Sequence, residues 1–186
     1  MKDEVLEIYE KTGAIKKGHF LLSSGLHSDI YFQSALVLQY PNYAEFLCKK
    51  LANFFKDYKV SVVVGPALGA ILVAYETARF LNARAVFTER EVGIMKLRRG
   101  FAIEKGENVL IVEDVITTGL STKEVIEVVR SYDGNIVGIG CLVDRSENLS
   151  FDYPLYSLLK INVKTYNPYN CELCKQNIPI EKPGSR

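Results

Sequence analysis

The hydrophobic positions of the chain alternate between short continuous runs and runs spaced like one face of a helix. The continuous runs are typical of parallel strands buried on both faces, and they occupy 60–64, 85–87, 109–112 and 136–143. Helical spacing fills the stretches around them, at 41–58, 71–81 and 124–132. Because strand and helix alternate through the middle of the chain, we predict an α/β fold with a doubly wound parallel sheet and right-handed crossovers.

Both ends of the chain carry weaker patterns, which predict a small hood over the sheet. Residues 3–13 have a short amphipathic pattern that stops at a glycine, as a short helix would. Residues 19–33 hold two strand-like runs on either side of a Ser-Gly turn, which predicts a hairpin. Residues 155–166 add one or two last strands. We expect a single domain over 1–186, with a hood built from about 1–40 and the C-terminal segment.

Composition narrows the class of protein. The 186 residues are 48% hydrophobic and 24% charged, as in an ordinary soluble globular domain. A net charge of +1 gives no bulk electrostatic case for binding nucleic acid or a membrane. No apolar run approaches the ~20 residues that span a bilayer, and the first residues do not form a signal peptide. Four cysteines make no disulfide scaffold in a chain of this size, so we expect a cytoplasmic location.

The strongest chemical signal follows the third apolar run. Two acids, Glu113 and Asp114, precede the turn 117–119 (Thr-Thr-Gly), and the spacing of Ser121 to Glu124 predicts a capping box that opens a helix. A helix N-terminus and hydroxyl groups attract phosphate, whereas carboxylates suit sugar hydroxyls, a cation or a developing positive charge. This order of residues predicts a site for a phosphorylated sugar. The alternative is an ordinary strand-to-helix turn, although adjacent acids there are costly without a partner.

Residues 109–121 resemble the phosphoribosyl pyrophosphate (PRPP) motif of the type I phosphoribosyltransferases. The resemblance implies catalytic roles for the two acids, and PRPP binding by Glu113, Asp114, Val115, Ile116, Thr117, Thr118, Gly119, Leu120 and Ser121. The family often has a small residue at the position of Leu120, but the main-chain N–H that would meet phosphate is unchanged. The resemblance also implies Mg²⁺, which we expect to be held mostly by substrate oxygens and water, so we assign no protein residue as a metal ligand.

A second strand, small-residue loop and helix, at 65–70, is another candidate phosphate cradle. Its sequence, Gly-Pro-Ala-Leu-Gly-Ala, is weak evidence alone, and a plain strand-to-helix turn explains it as well. PRPP carries phosphate at both ends, so two cradles on adjacent strands would match it. The resemblance assigns this loop to the pyrophosphate, with Pro66 and Ala67 as binding residues. Some members of the family carry a lysine where this chain has Gly69.

The charged segment 88–101 is flanked by glycine and lacks a long apolar face, which predicts a mobile loop or hairpin. A solvated surface is one interpretation of its basic residues. The other is a lid that brings cations to a pyrophosphate leaving group. In the family, the loop at this position closes over the neighbouring subunit's site. The resemblance therefore implies a homodimer, with Arg90 and Lys96 in catalysis and PRPP binding, and it leaves open which of Arg98 and Arg99 also acts.

The N-terminal hairpin indicates which type I phosphoribosyltransferases the chain resembles. Its aromatic and small polar residues resemble the signature of the orotate phosphoribosyltransferase family, in which this segment covers the base; they are Phe20, Ser24-Gly25, Ser28 and Tyr31-Phe32. Tyr31 and Phe32 would then stack on a flat pyrimidine, although both fit a hydrophobic core equally well. Many members have a lysine at the position of Ser23.

Arg145 follows the apolar run at 136–143, where open α/β sheets bind ligands. Its guanidinium matches a carboxylate in bidentate geometry, and the alternative is a surface ion pair. In the orotate family an arginine at this place grips the carboxylate of the base. The resemblance thus implies orotate binding by Tyr31, Phe32, Thr117 and Arg145.

The leading hypothesis is Mg²⁺-dependent transfer of the 5-phosphoribosyl group from PRPP to orotate, which yields orotidine 5′-monophosphate and pyrophosphate in pyrimidine biosynthesis. Two alternatives stay open. One is transfer to another base such as a purine, against which the hood segment and Arg145 count. The other is a PRPP-sensing regulator that binds nucleic acid, against which the net charge of +1 counts.

The C-terminal tail carries Cys171 and Cys174 in a CxxC pattern, which is half of a zinc site. The chain has no second pair, and His19 and His27 are distant in sequence, although two copies of the pair could meet in a two-fold dimer. We expect an inert tail with two free thiols and a frayed end at 182–186.

Overall fold

The computed structural model describes residues 4–22, 24–147 and 149–183. Ser23, where the family often has a lysine, lies outside the described residues. The hood begins with a helix, a hairpin and a single helical turn: α1 (Glu4–Lys11), β1 (Ile15–Leu21), β2 (His27–Phe32) and α2 (Ala35–Leu38). β1 and β2 pair in antiparallel fashion, so the predicted short helix and hairpin are confirmed.

Helices and strands then alternate along the chain. These elements are α3 (Pro41–Asn53), β3 (Val62–Pro66), α4 (Ile71–Leu81), β4 (Arg84–Glu91), β5 (Ile94–Leu97), β6 (Asn108–Ile116), α5 (Leu120–Ser131), β7 (Asn135–Asp144) and β8 (Leu155–Lys160). Their strands form one sheet in the order β5-β4-β3-β6-β7-β8, parallel except for the β4–β5 hairpin. None of the described helices is long and apolar enough to cross a membrane.

The central strands are covered on both faces. In β3, Val63 packs in the layer that contains α3 and α4, whereas Val62 and Val64 pack in the layer that contains α5. In β6, Leu110 likewise packs in the layer of α3 and α4, and Ile111 packs in the layer of α5. Because neither face meets water, these strands are apolar without alternation, which is why continuous runs predicted them. The doubly wound α/β sheet is thereby confirmed.

The chain returns to the hood after β8. A two-residue strand, β9 (Thr165–Tyr166), pairs with β2, and a 3₁₀ turn (Pro168–Asn170) and α6 (Glu172–Lys175) follow. Further on, the N–H of Glu181 donates to the carbonyl of His19 at 2.7 Å, and the N–H of Leu21 donates to the carbonyl of Glu181 at 2.8 Å. The C-terminal tail is therefore attached along β1.

Candidate active site

The winding of the sheet reverses between β3 and β6, because the chain adds strands toward one edge after β3 and toward the other after β6. Open α/β sheets bind ligands in the crevice at such a reversal. Here the carboxyl ends of the two strands open into a cavity of about 660 Å³. The cavity brings together most of the predicted PRPP-binding residues, namely Pro66, Ala67, Arg90 and 113–121.

Two carboxyl groups lie on the floor of this cavity. Glu113 is 5% exposed, and its Oε1 accepts a hydrogen bond from the Ser121 hydroxyl at 2.5 Å. Burial, and after it the charge of Asp114, raises the pKa of Glu113 to about 8. Burial also raises the pKa of Asp114. A positive charge in the cavity would therefore lower both pKa values and return the two carboxyl groups to their ionised form.

The N-terminus of α5 opens onto the same cavity. Gly119 is its N-cap residue, in the left-handed region at φ +71°, and the first helical bond runs from the N–H of Lys123 to the carbonyl of Gly119 at 2.9 Å. The N–H groups of 120–122 therefore precede the helical ladder. That of Leu120 donates to Oγ1 of Thr118 at 3.4 Å, and those of Ser121 and Thr122 are available to a phosphate. A Cβ on Gly119 would also stand 2.6 Å from Cδ2 of Leu149.

The predicted capping box is wrong. Gly119 begins the helix two residues earlier than expected, so Ser121 lies inside the first turn and its hydroxyl turns to Glu113. The carboxylate of Glu124 does not close a capping box, because it forms an ion pair with Arg90. The motif still presents main-chain N–H groups to a phosphate, but the helix begins at Gly119 rather than at Ser121.

The loop between β3 and α4 forms the opposite wall. The Ala67–Leu68 peptide bond in this loop is cis. A Cβ on Gly69 would lie 2.8 Å from Oδ1 of Asp114, which is closer than real Cβ contacts allow. The glycine that replaces the lysine of some family members therefore lets the two predicted cradles approach each other.

The charged segment forms the β4–β5 hairpin, as one of the two predicted forms. Its tip is a tight turn with positive φ at both Val92 (51°) and Gly93 (79°), as two-residue hairpins require. Arg90 lies on β4, lines the cavity and pairs with Glu124. The hairpin thus supplies one cation to the cavity of its own chain.

The other basic side chains of the hairpin are held by acids of the same segment. Lys96 pairs with Glu91 at 2.9 Å, and Arg98 pairs with the same acid at 3.0 Å. Arg99 pairs with Glu89 at 2.9 Å. In the described structure these three basic residues do not line the cavity. The predicted role of Lys96 stays a prediction, and it requires either movement of the hairpin or a second subunit.

Of the two hood aromatics, one lines the cavity and the other does not. Tyr31 is part of the wall. Phe32 is 4% exposed and belongs to the core, with its ring centroid 5.8 Å from that of Tyr9. Successive residues of a strand face opposite sides of the sheet, so the two could not both reach one base. The expected stacking of Phe32 on orotate is therefore wrong.

Arg145 is buried at the carboxyl end of β7, behind the cavity wall. It is 8% exposed, its guanidinium lies 5.4 Å from the Phe32 ring centroid, and Nη2 donates to the carbonyl of Ile30 at 3.2 Å. Its Nε has no hydrogen-bond partner among the described residues. The alternative of a surface ion pair is excluded by this burial.

The pKa of Tyr31 responds both to an acid of the cavity and to Arg145. Burial, and after it the charge of Asp114, raises the pKa of Tyr31, whereas the charge of Arg145 lowers it. Both groups are thus close enough to influence the phenol. Arg145 itself is not in the lining of the cavity.

Sequence reasoning missed several lining residues. Gln33 and Gln39 come from the end of β2 and from α2, and Lys182 and Pro183 come from the C-terminal tail. The expectation of a frayed end is wrong for these two tail residues, while 184–186 lie outside the described residues. The attachment of the tail to β1 is non-local, so no nearby sequence signal could have found Lys182.

The CxxC pair is also placed differently from the expectation. Cys171 is buried, and both cysteines lie beside His19 and His27. Distance along the sequence was therefore a wrong guide, because the hood hairpin and the tail fold against each other.

The fold and the cavity are those of a phosphoribosyltransferase: the family described as "Phosphoribosyl transferase domain" matches residues 38–172. A protein of Caldanaerobacter subterraneus subsp. tengcongensis named orotate phosphoribosyltransferase is 57% identical over 186 residues, which cover 100% of this chain and 98% of that protein. A protein of the same name from Thermotoga maritima is 51% identical over 183 residues, 98% of each chain. The chain belongs to the orotate phosphoribosyltransferase family.

Solved structures agree with this assignment. The crystal structure of orotate phosphoribosyltransferase from Aeropyrum pernix superposes with a TM-score of 0.70 at 27% identity, over 84% of this chain and 93% of that one. The corresponding enzyme from Mycobacterium tuberculosis, in complex with inorganic phosphate, gives a TM-score of 0.66 at 23% identity, over 85% of this chain and 94% of that one. The second likeness concerns the fold alone.

Proposed function

We propose that this protein transfers the 5-phosphoribosyl group from PRPP to orotate, which releases pyrophosphate and yields orotidine 5′-monophosphate for pyrimidine biosynthesis. One observation carries the proposal: the acidic pair, the open N-terminus of α5 and the β3–α4 loop meet in one cavity at the reversal of the sheet. The names of the full-length relatives support orotate as the base. None of the four cysteines forms a disulfide in the described structure, which agrees with the reducing cytoplasm that we propose as its location.

The ends of PRPP fit different walls of the cavity. The N–H groups of 121–122 and the hydroxyls of Thr117 and Thr118 suit the 5-phosphate, because each can donate to its oxygens. The carboxylates of Glu113 and Asp114 suit the ribose hydroxyls between the two phosphate ends. The loop at 66–69 is then left for the pyrophosphate.

The orotate ring fits beside Tyr31, whose aromatic side chain lines the cavity. Arg145 supplies the cation for the orotate carboxylate. Its unpartnered Nε supports this role, because a buried guanidinium with a free donor is costly until an acceptor arrives. Orotate would have to replace only one hydrogen bond of the guanidinium, from Nη2 to the carbonyl of Ile30 at 3.2 Å. A neutral base such as uracil would leave Arg145 unpaired.

The transfer breaks the bond between C1 of the ribose and a pyrophosphate oxygen, and it forms a bond from C1 to N1 of orotate. Pyrophosphate leaves with the bonding electrons, and the N1 proton passes to solvent. Positive charge develops on the ribose as pyrophosphate departs. We assign the stabilisation of this charge to Glu113 and Asp114, and the stabilisation of the leaving group to Arg90, because all three line the cavity.

The residues present fit Mg²⁺. Burial raises the pKa values of both Glu113 and Asp114, and a divalent cation nearby would return the two carboxylates to their charged form. Hard carboxylate oxygens and retained waters are what Mg²⁺ prefers. When bound, the ion would neutralise pyrophosphate, and these two acids would hold it through water or directly.

A homodimer in which the hairpin serves the neighbouring cavity is part of the proposal. Lys96 does not line the cavity of its own chain, and the hairpin tip presents Val92 (96% exposed) and Ile94 (61% exposed) to solvent. Apolar side chains on a projecting hairpin are suited to contact with a second subunit. The basic residues would then reach pyrophosphate across the interface.

Subunit mixing tests the shared site. Lys96→Ala and Asp114→Asn chains should each be inactive, whereas mixed dimers restore one intact site when Lys96 acts on the partner's cavity. Random pairing makes half of the dimers mixed, each with one of two sites intact, so about a quarter of wild-type activity should return. If both single variants are inactive, no recovery after verified exchange, with dimers present, would place Lys96 in the cavity of its own chain; an active Lys96→Ala protein would place it outside the mechanism.

Base selectivity tests the reaction itself. With PRPP and Mg²⁺ fixed, initial rates should be high for orotate and negligible for uracil, adenine and hypoxanthine, because these bases lack the carboxylate that Arg145 would bind. Turnover of a purine base in place of orotate would refute the proposed substrate while leaving the phosphoribosyl transfer intact. Binding of PRPP without turnover of any base would refute the enzyme.

A further inference from the structure

Four side chains with metal-binding chemistry converge between the hood hairpin and the C-terminal tail, outside the cavity described above. They are His19, His27, Cys171 and Cys174, and their ligand atoms all lie within 4.8 Å of one another. His19 and His27 come from β1 and β2, and the cysteines come from the start of α6 and its first turn. Two separate segments, about 150 positions apart in the sequence, thus supply two ligands each.

The separations between the ligand atoms match a tetrahedral metal site. The Sγ atom of Cys171 lies 3.6 Å from Nε2 of His19, and Sγ of Cys174 lies 3.7 Å from that nitrogen and 3.4 Å from Nδ1 of His27. With Zn–S at ~2.3 Å and Zn–N at ~2.0 Å, tetrahedral angles place nitrogen and sulfur ligands ~3.5 Å apart. The three measured distances fall close to that value.

The two nitrogens are closer than a metal would hold them. Nε2 of His19 and Nδ1 of His27 are 2.8 Å apart, a hydrogen-bond distance, whereas two nitrogens on one zinc ion stand ~3.3 Å apart. An ion between the rings would replace this hydrogen bond and separate the nitrogens by ~0.5 Å. That is a small rotation of two side chains rather than a rearrangement of the strands.

The surroundings orient the ligands. Nδ1 of His19 lies 2.8 Å from the carbonyl oxygen of Ile178, so it carries the proton and leaves Nε2 with its lone pair toward the cysteines. A hydrogen bond from the far nitrogen to a carbonyl is the usual support for a histidine that binds a metal. His19, His27 and Cys171 are buried, while Cys174 is exposed, which leaves one side open for entry of an ion.

We propose that these four residues form a structural Zn²⁺ site. Two thiolates and two imidazoles in tetrahedral arrangement are the donor set that favours zinc among the common divalent ions. Because the protein supplies all four ligands, no position is left for a substrate or a reactive water. The site is therefore distinct from the Mg²⁺ that the transfer would use, and it does not depend on the proposed reaction.

The role of the zinc would be to attach the tail to the hood. Beyond the cysteines, the tail contacts His19 through Ile178 and Glu181, and it reaches the cavity with Lys182. The metal would thus fix the segment that places Lys182 at the cavity wall. Loss of the ion should loosen 176–183 first and leave the central sheet intact.

Metal content is the direct test. The full-length protein, purified without a histidine tag or chelator, should contain one zinc per chain by mass spectrometry of the elements. Cys174→Ser should lose nearly all of it, and because Cys174 is exposed this variant should still fold. Cys48→Ala is the matched control, since it removes a cysteine on the buried face of α3, away from the cluster, and should retain one zinc per chain.

Cobalt reports the ligand set. Refolding or exchange with Co²⁺ should give the visible absorption of tetrahedral cobalt and a thiolate charge-transfer band in the near ultraviolet, in wild type and in Cys48→Ala. Cys174→Ser should lose nearly all of this charge-transfer intensity, because it no longer retains the metal. Hydrogen exchange should become faster at the N–H of Glu181 when zinc is removed, because that N–H is bonded to the carbonyl of His19.

Three results would overturn the proposal. Less than about one zinc in ten chains after growth with added zinc would exclude a built site, as would equal zinc content in wild type and Cys174→Ser. A Cys171–Cys174 disulfide, seen as the loss of two titratable thiols in the purified protein without metal, would assign the cluster to redox chemistry instead.

Discussion

Replacement of Arg145 by methionine separates a binding role from a structural one. In the free protein the guanidinium is buried, makes one 3.2 Å hydrogen bond to Ile30, packs over Phe32 and leaves Nε unpartnered. It forms no ion pair with any acid among the described residues. Methionine keeps most of the aliphatic volume and removes the charge, so the change removes recognition of a carboxylate without emptying the core.

The expected magnitudes differ for stability and catalysis. The charged hydrogen bond stabilises the fold by ~1.5–3 kcal/mol and the ring contact by up to ~2 kcal/mol, while burial of an unpaired charge opposes them by several kcal/mol. These terms nearly cancel, so the free energy of unfolding should change by less than ~2 kcal/mol. Removal of one partner from a buried charge pair with orotate costs ~2–5 kcal/mol, which corresponds to a ~30-fold to ~5000-fold loss in kcat/KM.

Steady-state kinetics and thermal unfolding measure both effects on the same sample of Arg145→Met. kcat/KM for orotate should fall within the stated range, while the affinity for PRPP, measured by calorimetry, changes less than ~3-fold. Arg145→Lys should lie between wild type and methionine, because lysine keeps the charge but not the fork. The assignment of Arg145 to the base would be refuted if the affinity for PRPP fell as much as kcat/KM for orotate. It would also be refuted if the free energy of unfolding fell by more than ~4 kcal/mol.

Three further predictions concern the cavity. Gly69→Ala should lower kcat/KM for PRPP by roughly 10²-fold with little change in Tm, since its Cβ would displace the Asp114 carboxylate; unchanged kinetics would contradict this close approach. The pKa of Glu113 rises from 4.5 to about 8, so the folded protein holds a proton that the unfolded chain releases, and the Tm of the ligand-free protein should fall as pH rises through this window. Glu113→Gln should flatten that slope, and an identical slope in both proteins would show that another group titrates. Gly119→Ala should weaken PRPP binding and lower Tm together, because alanine is strained at φ +71° and its Cβ clashes with Leu149. A fall in PRPP affinity without a fall in Tm, or the reverse, would show that this strain does not cause both effects.

The central sheet could be predicted from the sequence because its physics is local. Strands buried on both faces must be apolar throughout, and the run at 109–112 therefore identified β6 before any contact was known. Likewise, the acids and the Thr-Thr-Gly turn that follow it are consecutive, so their meeting in one cavity required only the usual geometry of a strand, a turn and a helix.

The errors came from orientation and from contacts between distant segments. Phe32 was placed with Tyr31 at the base, but the alternation of a strand sends it into the core. Ser121 and Glu124 had the spacing of a capping box, yet Glu113 and Arg90 compete for their side chains.

The tail could not be placed from its own composition. The sequence predicted an inert tail with a frayed end at 182–186, whereas backbone pairing of Glu181 with β1 attaches the tail to the hood. Packing of Cys171 against the buried His19 adds a second attachment between the same two segments. Both contacts join residues about 150 positions or more apart, which no local pattern records.

The most direct test of the central claim follows orotate by its ultraviolet absorbance and pyrophosphate by a coupled assay in the same reaction. With PRPP and Mg²⁺ present, orotate should disappear and pyrophosphate should appear in equal amounts, with orotidine 5′-monophosphate identified by its mass. Omission of PRPP or of Mg²⁺ should stop both signals. Pyrophosphate release without loss of orotate, or no reaction in the complete mixture despite calorimetric binding of PRPP, would contradict the assignment of this cavity to orotate phosphoribosyl transfer.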